Sequence, residues 1–258
     1  MSHFKNAIVR LPGANFAAGL TTSDLGVPRF DQVLRQHALY CEALQSCGLT
    51  LTILPADLRY PDSTFVEDTA ILTERGAILT RPGAPSRAGE TSAIRDTLQQ
   101  FFPDMAEIVA PGTLDGGDIC QAEDHFFLGL SLRTNEDGAR QLAAHLAKLG
   151  YTPSVIDISS MKTILHLKSG ISHIGHNTMV VMEELANHAA FAPYDRITVA
   201  AAERYAANCV RMNDRVLFAK GYPLLQADLQ KRGFNPLVLN MSEFQKMDGG
   251  PSCLSLRF

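Results

Sequence analysis

The stretch Thr69–Thr80, TAILTERGAILT, contains the pattern from which the fold can be worked out. The apolar run AILT occurs in it twice, on either side of the polar residues Glu-Arg-Gly. Two short runs of this kind joined by a polar turn are typical of a β-hairpin. We therefore predict a pair of antiparallel strands here.

The hairpin pattern recurs along the chain. It is found again at Gly117–Gly129, Gly170–Met182 and Ala207–Lys220. The first predicted strand, Phe4–Leu11, and the last, Ser252–Phe258, have no partner within their own segments. We expect these two strands to pair with each other.

Between the hairpins the sequence repeats a helix followed by a strand. Phe30–Cys47 has apolar residues three or four positions apart, and Gly48 is suited to end that helix before the strand Leu49–Leu54. Thr134 and Asp137 are predicted to form a capping box for the third helix. The same order of helix and strand is predicted at Glu90–Phe102 with Ala106–Ala110, Asn135–Leu149 with Thr152–Ile158, and Pro223–Lys231 with Pro236–Leu239.

The hairpin–helix–strand unit is used about five times. The hairpins begin at residues 69, 117, 170 and 207 and the last strand at 252, so the unit recurs every 37 to 53 residues. Repeats of this period are typical of solenoids and propellers. We predict an α/β fold, a five-unit pseudo-symmetric α/β propeller forming a single domain over residues 1–258 and closed through the chain ends. An ordinary α+β domain with coincidental spacing is the alternative, because sequence identity between the units is negligible.

Composition excludes several classes of protein. The net charge of −4 lacks the basic surplus of a nucleic-acid binder, and 46% hydrophobic content excludes wholesale disorder. No apolar run approaches the roughly 20 residues of a membrane span, and the N-terminal residues lack a signal sequence. The five cysteines are odd in number and widely spread, which favours a reducing cytoplasm. We expect a cytoplasmic enzyme or binding protein.

The repeat predicts where functional residues lie, because positions just before each hairpin should meet at one end of the central axis. Those positions hold Glu67–Asp68, Asp115, His166, Asn208 and Cys253. A cysteine, a histidine and carboxylates are the groups of a nucleophilic cysteine site. Each has a structural alternative: a cysteine opening a strand is usually a small core residue, and an aspartate beside Gly-Gly usually belongs to a turn.

Charged residues near the hairpins indicate the kind of ligand. Three carboxylates within Asp62–Asp68 flank an apolar Phe-Val pair, and a guanidinium is a natural partner for buried carboxylates. Arg87 and Arg133 follow equivalent hairpin strands and together suit a carboxylate. The pattern therefore favours a zwitterionic amino acid with a cationic tail. A metal pair at His173 and His176 lacks a third ligand, and a hairpin turn is the simpler interpretation.

Specific motifs are spread over the whole chain. They are GLTTSDLG at Gly19–Gly26, PDSTFVEDT at Pro61–Thr69, TRPGAPSRAGE at Thr80–Glu90, APGTLDGGDI at Ala110–Ile119, GLSLRTNEDGARQL at Gly129–Leu142, LHLKSG at Leu165–Gly170, YAANC at Tyr205–Cys209 and KMDGGPSCLSLRF at Lys246–Phe258. Together they resemble the dimethylarginine dimethylaminohydrolases of the guanidino-group-modifying, or pentein, superfamily. The five-unit α/β propeller is the fold of that family.

The resemblance implies roles for the three residues predicted to react. Cys253 would be the nucleophile, His166 the general acid and base, and Asp115 the carboxylate that holds the imidazole. Some bacterial members have glutamate at the position of Asp115, so the shorter side chain here puts its hydrogen bond to His166 in question.

The resemblance also implies a substrate site for a small amino acid and a reaction that needs no metal or cofactor. From the composition we expect no nucleic acid or membrane as a partner, and a homodimer is possible. The predicted substrate-binding residues are Asp62, Glu67 and Asp68 for the guanidinium, Arg87 and Arg133 for the α-carboxylate, and Leu20 and Met247 for the amino-acid end. The loop Gly13–Gly26 is predicted to act as a lid.

The implied reaction is hydrolysis of asymmetric dimethylarginine or monomethylarginine to citrulline and dimethylamine or methylamine through a covalent Cys253 thiouronium. Two alternatives stay open. An arginine deiminase would use the same three residues, but those enzymes are generally longer. A non-catalytic binding protein on the same fold predicts an incomplete set of these residues, whereas all three are present.

Overall fold

The protein is described here by a computed structural model over residues 3–258. The elements in chain order are β1 (Asn6–Arg10), α1 (Phe30–Ser46), β2 (Thr50–Leu54), β3 (Ala70–Thr73), β4 (Gly76–Leu79), α2 (Glu90–Leu98), β5 (Met105–Glu107), β6 (Ile119–Ala122), β7 (His125–Leu130), α3 (Glu136–Lys148), β8 (Thr152–Asp157), β9 (Ile171–Gly175), β10 (Thr178–Met182), β11 (Asp195–Val199), β12 (Val210–Met212), β13 (Arg215–Ala219), α4 (Pro223–Lys231), β14 (Pro236–Leu239), α5 (Ser242–Gln245) and β15 (Leu256–Arg257).

These strands form five sheets of three strands with one shared topology. In each sheet the middle strand pairs antiparallel with one neighbour and parallel with the other. In four of the sheets the antiparallel neighbour is the hairpin partner, and the parallel neighbour follows the connecting segment. The sheets are β3-β4-β5, β6-β7-β8, β9-β10-β11, β12-β13-β14 and β15-β1-β2. The predicted α/β fold of five repeated units is therefore confirmed.

The fifth sheet joins the two ends of the chain. Strand β1 pairs antiparallel with β15, with Ala7 opposite Arg257 and Ile8 opposite Leu256. The predicted pairing of the first and last strands is thus confirmed. The first strands of several units also lie side by side, since β3 contacts β15, β6 contacts β9, and β9 contacts β12. These contacts bring together the segments that precede those strands; a propeller closed around one axis stays a prediction.

Helix α1 shows how the apolar pattern is used. Val33, Tyr40 and Leu44 lie on one face and are fully buried, while Leu34 on another face is 42% exposed. Burial of each large side chain contributes about 1.5–3 kcal/mol. The helix ends at Ser46, and Gly48 takes a φ of +89°, a left-handed conformation that glycine adopts without a Cβ clash. No helix within residues 3–258 has the length and apolar character needed to cross a bilayer.

The start of α3 differs from the prediction. Its cap is Asn135, whose Oδ1 accepts the Gly138 N–H at 2.8 Å. The predicted capping box of Thr134 and Asp137 is wrong, because the Thr134 hydroxyl donates instead to the buried carboxylate of Asp118 at 2.6 Å. A charged acceptor inside the protein makes the stronger hydrogen bond.

Candidate active site

One cavity gathers the predicted site residues. It lies where the segments before the hairpins meet. Its lining includes every residue predicted for the site except Glu67, namely Leu20, Asp62, Asp68, Arg87, Asp115, Arg133, His166, Met247 and Cys253. Phe65 and Leu165 add apolar walls.

Cys253 sits in the turn that precedes β15 and is half-buried. Its own N–H donates to the Gly250 carbonyl at 3.1 Å, and the Gly250 N–H points back to Sγ at 3.4 Å. Burial, followed by the negative charges of Glu67 and Asp68, raises the pKa of the Cys253 thiol to about 12. The sulfur is therefore a neutral thiol when no cationic substrate is bound.

His166 is buried and hydrogen-bonded to Asp115. Nε2 of His166 lies 3.0 Å from Oδ2 of Asp115, so the shorter aspartate side chain reaches the imidazole. Burial lowers the pKa of His166, but the charges of Asp68 and Asp118 and the bond to Asp115 outweigh it and raise that pKa to about 9. For Asp115, burial acts to raise the pKa, but the hydrogen bond and charge of His166 outweigh it, so the pKa of Asp115 is lowered. At neutral pH the pair is an imidazolium facing a carboxylate.

The glycines of the LDGGD segment allow this close packing. A Cβ on Gly117 would lie 2.7 Å from Nδ1 of His166 and 2.9 Å from Oδ1 of Asp68. The Gly117 N–H also donates to that Asp68 oxygen at 2.8 Å. The segment is therefore both a turn and part of the site.

Asp118, the second aspartate of LDGGD, is fully buried and ties three segments together. Its Oδ1 accepts the N–H of Leu167, next to His166, at 3.0 Å. Its Oδ2 accepts the hydroxyls of Ser131 at 2.7 Å and Thr134 at 2.6 Å. The Thr134 oxygen in turn accepts the N–H of Asp115 at 3.1 Å. Asp118 thus fixes the backbone on both sides of the His166–Asp115 pair.

The two predicted arginines differ in how many of their donors are used. Arg87 is buried, with Nη1 paired to Oδ2 of Asp68 at 2.5 Å and Nη2 to Oε2 of Glu90 at 2.7 Å. Its Nε also donates to Glu90 at 3.0 Å. Arg133 is half-buried, and across the described part of the chain its guanidinium has no ion-pair partner. Of these two arginines, Arg133 is therefore the one whose guanidinium donors are free for a ligand.

Leu20, which is predicted to contact the amino-acid end of the substrate, is hydrogen-bonded to Asp62, which is predicted to bind the guanidinium. The Leu20 N–H donates to both carboxylate oxygens of Asp62, at 3.0 and 3.2 Å. Gly19 permits this approach, because a Cβ there would overlap the Asp62 carboxylate. Burial raises the pKa of Asp62 despite the nearby charge of Arg87.

Glu67 does not line the cavity. Its Oε1 accepts Nζ of Lys168 at 2.6 Å and Nη2 of Arg257 at 3.1 Å, and its Oε2 accepts the Ser252 hydroxyl at 2.9 Å. The Glu67 N–H donates to the Cys253 carbonyl at 3.2 Å. Glu67 thus holds the segment that carries Cys253, and its predicted contact with a guanidinium stays a prediction.

The loop Gly13–Gly26 is anchored to the rim of the cavity. The Thr22 N–H and hydroxyl donate to Oδ2 of Asp248 at 2.6 and 3.0 Å, and the Thr21 hydroxyl donates to the Lys246 carbonyl at 2.9 Å. These bonds join the loop to the turn beside Met247. Movement of the loop as a lid stays a prediction.

One group of possible metal ligands occurs among residues 3–258: single donor atoms of Asp68, Asp115 and His166 lie within 4.8 Å of one another. These donors already bond to Arg87, Gly117 and each other. His173 and His176 lie in the β9–β10 hairpin: His173 is in β9, and His176 is in the turn with a φ of +49°.

The chain is similar to known proteins. A family model described as "Arginine deiminase" matches residues 59–211. A protein of Pseudomonas aeruginosa named N(G),N(G)-dimethylarginine dimethylaminohydrolase is 44% identical over 256 residues, which cover 99% of this chain and 100% of that protein. This chain belongs to the dimethylarginine dimethylaminohydrolase family.

Two solved structures of dimethylarginine dimethylaminohydrolases are similar to the chain. A cysteine-to-serine mutant from P. aeruginosa, complexed with citrulline, matches with a TM-score of 0.97 and 43% identity over 100% of both chains. A histidine-to-glycine variant, as an adduct with S-methyl-L-thiocitrulline, matches with a TM-score of 0.96 and 43% identity over 99% of this chain and 100% of that one.

Several residues around the site of this dimethylarginine dimethylaminohydrolase family member were not found from the sequence. They are Glu90, Asp118, Lys168 and Arg257, the ionic and hydrogen-bond partners described above. The available signal was their position inside or beside the motifs TRPGAPSRAGE, LDGGD, LHLKSG and PSCLSLRF. Spacing alone does not tell which carboxylate meets which cation.

Proposed function

We propose that the protein hydrolyses N-ω-methylated arginines to citrulline and the corresponding methylamine. The observation that carries this proposal is the placement of Cys253 and the His166–Asp115 pair around one cavity that also holds Asp68 and Arg133. Membership of the dimethylarginine dimethylaminohydrolase family supports it. The complex of a relative with citrulline supports citrulline as the product.

The charges of the cavity define how the substrate lies. The guanidinium faces the acidic side at Asp62 and Asp68, beside Cys253. The α-carboxylate accepts hydrogen bonds from the free donors of Arg133. Arg87 adds any N–H group that is not already bonded to Asp68 or Glu90. Leu20 and Met247 contact the amino-acid end. This arrangement pairs the guanidinium with carboxylates at one end and the α-carboxylate with an arginine at the other.

Binding of the cation prepares the nucleophile. Burial and the charges of Glu67 and Asp68 hold the pKa of the Cys253 thiol near 12. A bound guanidinium cancels much of that negative field and adds a positive charge beside the sulfur, which lowers the pKa. The thiol proton leaves to solvent, and His166 stays protonated because its own pKa is about 9.

The first half-reaction releases the amine. The Cys253 thiolate forms a bond to the guanidinium carbon, and the bond from that carbon to the methylated nitrogen breaks. His166 gives its proton to the departing amine, so dimethylamine or methylamine leaves and the imidazole is neutral. A cationic thiouronium on Cys253 remains.

The second half-reaction regenerates the enzyme. Neutral His166 takes a proton from water, and the hydroxide adds to the thiouronium carbon. The added hydroxyl group then loses its proton to solvent as the carbon–sulfur bond breaks, which releases citrulline, restores the thiolate and leaves His166 as the imidazolium. Asp115 stabilises the imidazolium at both stages through its 3.0 Å contact. The sequence of steps requires no metal or organic cofactor.

We also propose that residues 1–258 form one catalytic domain and that the protein acts in the cytoplasm. The shared topology of the five sheets and the β1–β15 pairing support one domain. Free cysteines, including the proposed nucleophile, support a reducing compartment. A homodimer is compatible with this arrangement.

The direct test measures citrulline after incubation with asymmetric dimethylarginine, monomethylarginine and arginine. We expect turnover of the methylated substrates. Absence of citrulline from both would refute the proposal, and faster turnover of arginine would assign the protein to the deiminases instead. The Cys253→Ser variant, matched in size, should retain the melting temperature and lose turnover.

A further inference from the structure

The sulfur of Cys253 has a second polar neighbour besides the Gly250 N–H. Nδ2 of Asn208 lies 3.8 Å from Sγ, within reach of a hydrogen bond to sulfur. Asn208 is 4% exposed and comes from the segment just before β12. That segment belongs to the one repeat that the mechanism leaves without a role.

The amide of Asn208 has its donor end turned towards the sulfur by a backbone contact. Its Oδ1 accepts the Ser252 N–H at 3.1 Å. If the NH₂ group of Asn208 faced Ser252 instead, two hydrogen-bond donors would point at each other. The amide oxygen must therefore face the Ser252 N–H. The NH₂ group is then on the side of Cys253. The orientation of the donor is therefore fixed by the chain that carries the nucleophile.

The other nearby donor is already used. The Ser252 hydroxyl lies 3.9 Å from Sγ, but it donates its proton to Oε2 of Glu67 at 2.9 Å. The sulfur is thus left with the Gly250 N–H at 3.4 Å and the Asn208 NH₂ group. Both are donors, which is the arrangement that stabilises an anion.

The turn at Gly249–Gly250, just before Cys253, leaves space for the side chain of Asn208. A Cβ on Gly250 would lie 2.5 Å from Cγ of Asn208. The Tyr205 hydroxyl, from the same segment as Asn208, donates to the Gly249 carbonyl at 2.7 Å. The turn before Cys253 and the segment before β12 are therefore built against each other.

We propose that Asn208 is a catalytic residue that donates a hydrogen bond to the Cys253 thiolate and stabilises it together with the Gly250 N–H. This inference rests on the proposed function only in taking Cys253 as the nucleophile. It gives each of the five repeats a part in the site: Asp68, Asp115, His166, Asn208 and Cys253.

The inference is tested without substrate, by the rate at which iodoacetamide alkylates Cys253 in the intact protein as a function of pH. Peptide mass spectrometry reads Cys253 separately from Cys47, the other half-buried cysteine, which serves as the internal reference. In Asn208→Ala we expect alkylation of Cys253 about tenfold slower below its pKa, the low end for a hydrogen bond to a charged group. The rate at Cys47 should not change.

The variant Asn208→Asp separates a donor from a merely positioning residue. Aspartate keeps an oxygen for the Ser252 N–H but replaces the donor with an anionic oxygen facing the sulfur. We expect Cys253 in this variant to react at least as slowly as in Asn208→Ala. Alkylation at the wild-type rate in Asn208→Asp would overturn the inference, even if Asn208→Ala were slow.

Melting temperatures establish that both variants are folded. If Asn208→Asp does not fold, the ultraviolet absorbance of the thiolate in Asn208→Ala decides the matter, since an unshifted titration of Cys253 overturns the inference. Neither readout depends on citrulline. Failure of the substrate assignment therefore leaves this result interpretable, and failure of the Asn208 assignment leaves the substrate assay unaffected.

Discussion

Replacement of Asp118 by asparagine should lower the pKa of His166. Asparagine has nearly the same shape as aspartate but carries no charge. Burial alone lowers the pKa of His166, but the buried charges of Asp68, Asp118 and Asp115 together raise it to about 9. A nearby opposite charge shifts a pKa by about 1–3 units. We therefore expect the pKa of His166 to fall by at least about one unit in Asp118→Asn.

The same change should alter how stability depends on pH. The pKa of His166 is raised in the folded protein above its ordinary value of 6.5. Its protonation therefore stabilises the fold fully below pH 6.5, and this contribution is lost as pH rises through about 9. The shift corresponds to about 3 kcal/mol at most, since one unit is about 1.4 kcal/mol. In Asp118→Asn that contribution should shrink by about 1.4 kcal/mol.

The measurement is a nuclear magnetic resonance titration of the histidine rings, with the His166→Ala spectrum identifying the resonance. Urea unfolding at pH 6 and above pH 9 measures the stability term. Asp157→Asn is the matched control, because this exposed carboxylate on β8 makes its local contacts with Ser159. An unchanged His166 pKa in Asp118→Asn, with the fold intact, would refute the electrostatic role assigned to Asp118.

Further predictions concern close packing and charge at the cavity. Gly117→Ala places a Cβ 2.7 Å from Nδ1 of His166. It should cost about 1–3 kcal/mol of stability by overpacking and reduce citrulline formation more than tenfold, and wild-type rate and melting temperature would contradict this. Arg133→Gln should raise KM about 10–150-fold, the range for a lost charged hydrogen bond, with little change in melting temperature. Arg87→Gln should instead destabilise the fold by about 3–5 kcal/mol, because it strands the buried Asp68 and Glu90 carboxylates. Equal effects of the two arginine variants on stability and KM would contradict the distinction.

The architecture was predictable from the sequence because its signals are local. Apolar runs on either side of polar turns fix the hairpins, and strands without a local partner must find one elsewhere. The β1–β15 pairing followed from that second argument. The repeat then placed Asp68, Asp115, His166 and Cys253 at one end of their units, and the structure brings them to one cavity.

The choice of ionic partners was not predictable in the same way. Glu67 is predicted to bind the guanidinium of the substrate, and the sequence did not indicate that Lys168 and Arg257 from two other segments contact its carboxylate. Most of the N–H donors of Arg87 bond to Asp68 and Glu90. Several carboxylates and cations lie within reach of one another, and small differences in distance and burial decide the pairing. A sequence pattern does not resolve such differences.

Mass spectrometry of the protein quenched in acid during turnover tests whether Cys253 forms the covalent intermediate. We expect an adduct on the Cys253 peptide with the same mass from asymmetric dimethylarginine and from monomethylarginine, because the methylated nitrogen has already left in both. Cys253→Ser should show no adduct. An adduct whose mass differs between the two substrates, or citrulline formation with Cys253 unmodified throughout, would contradict it.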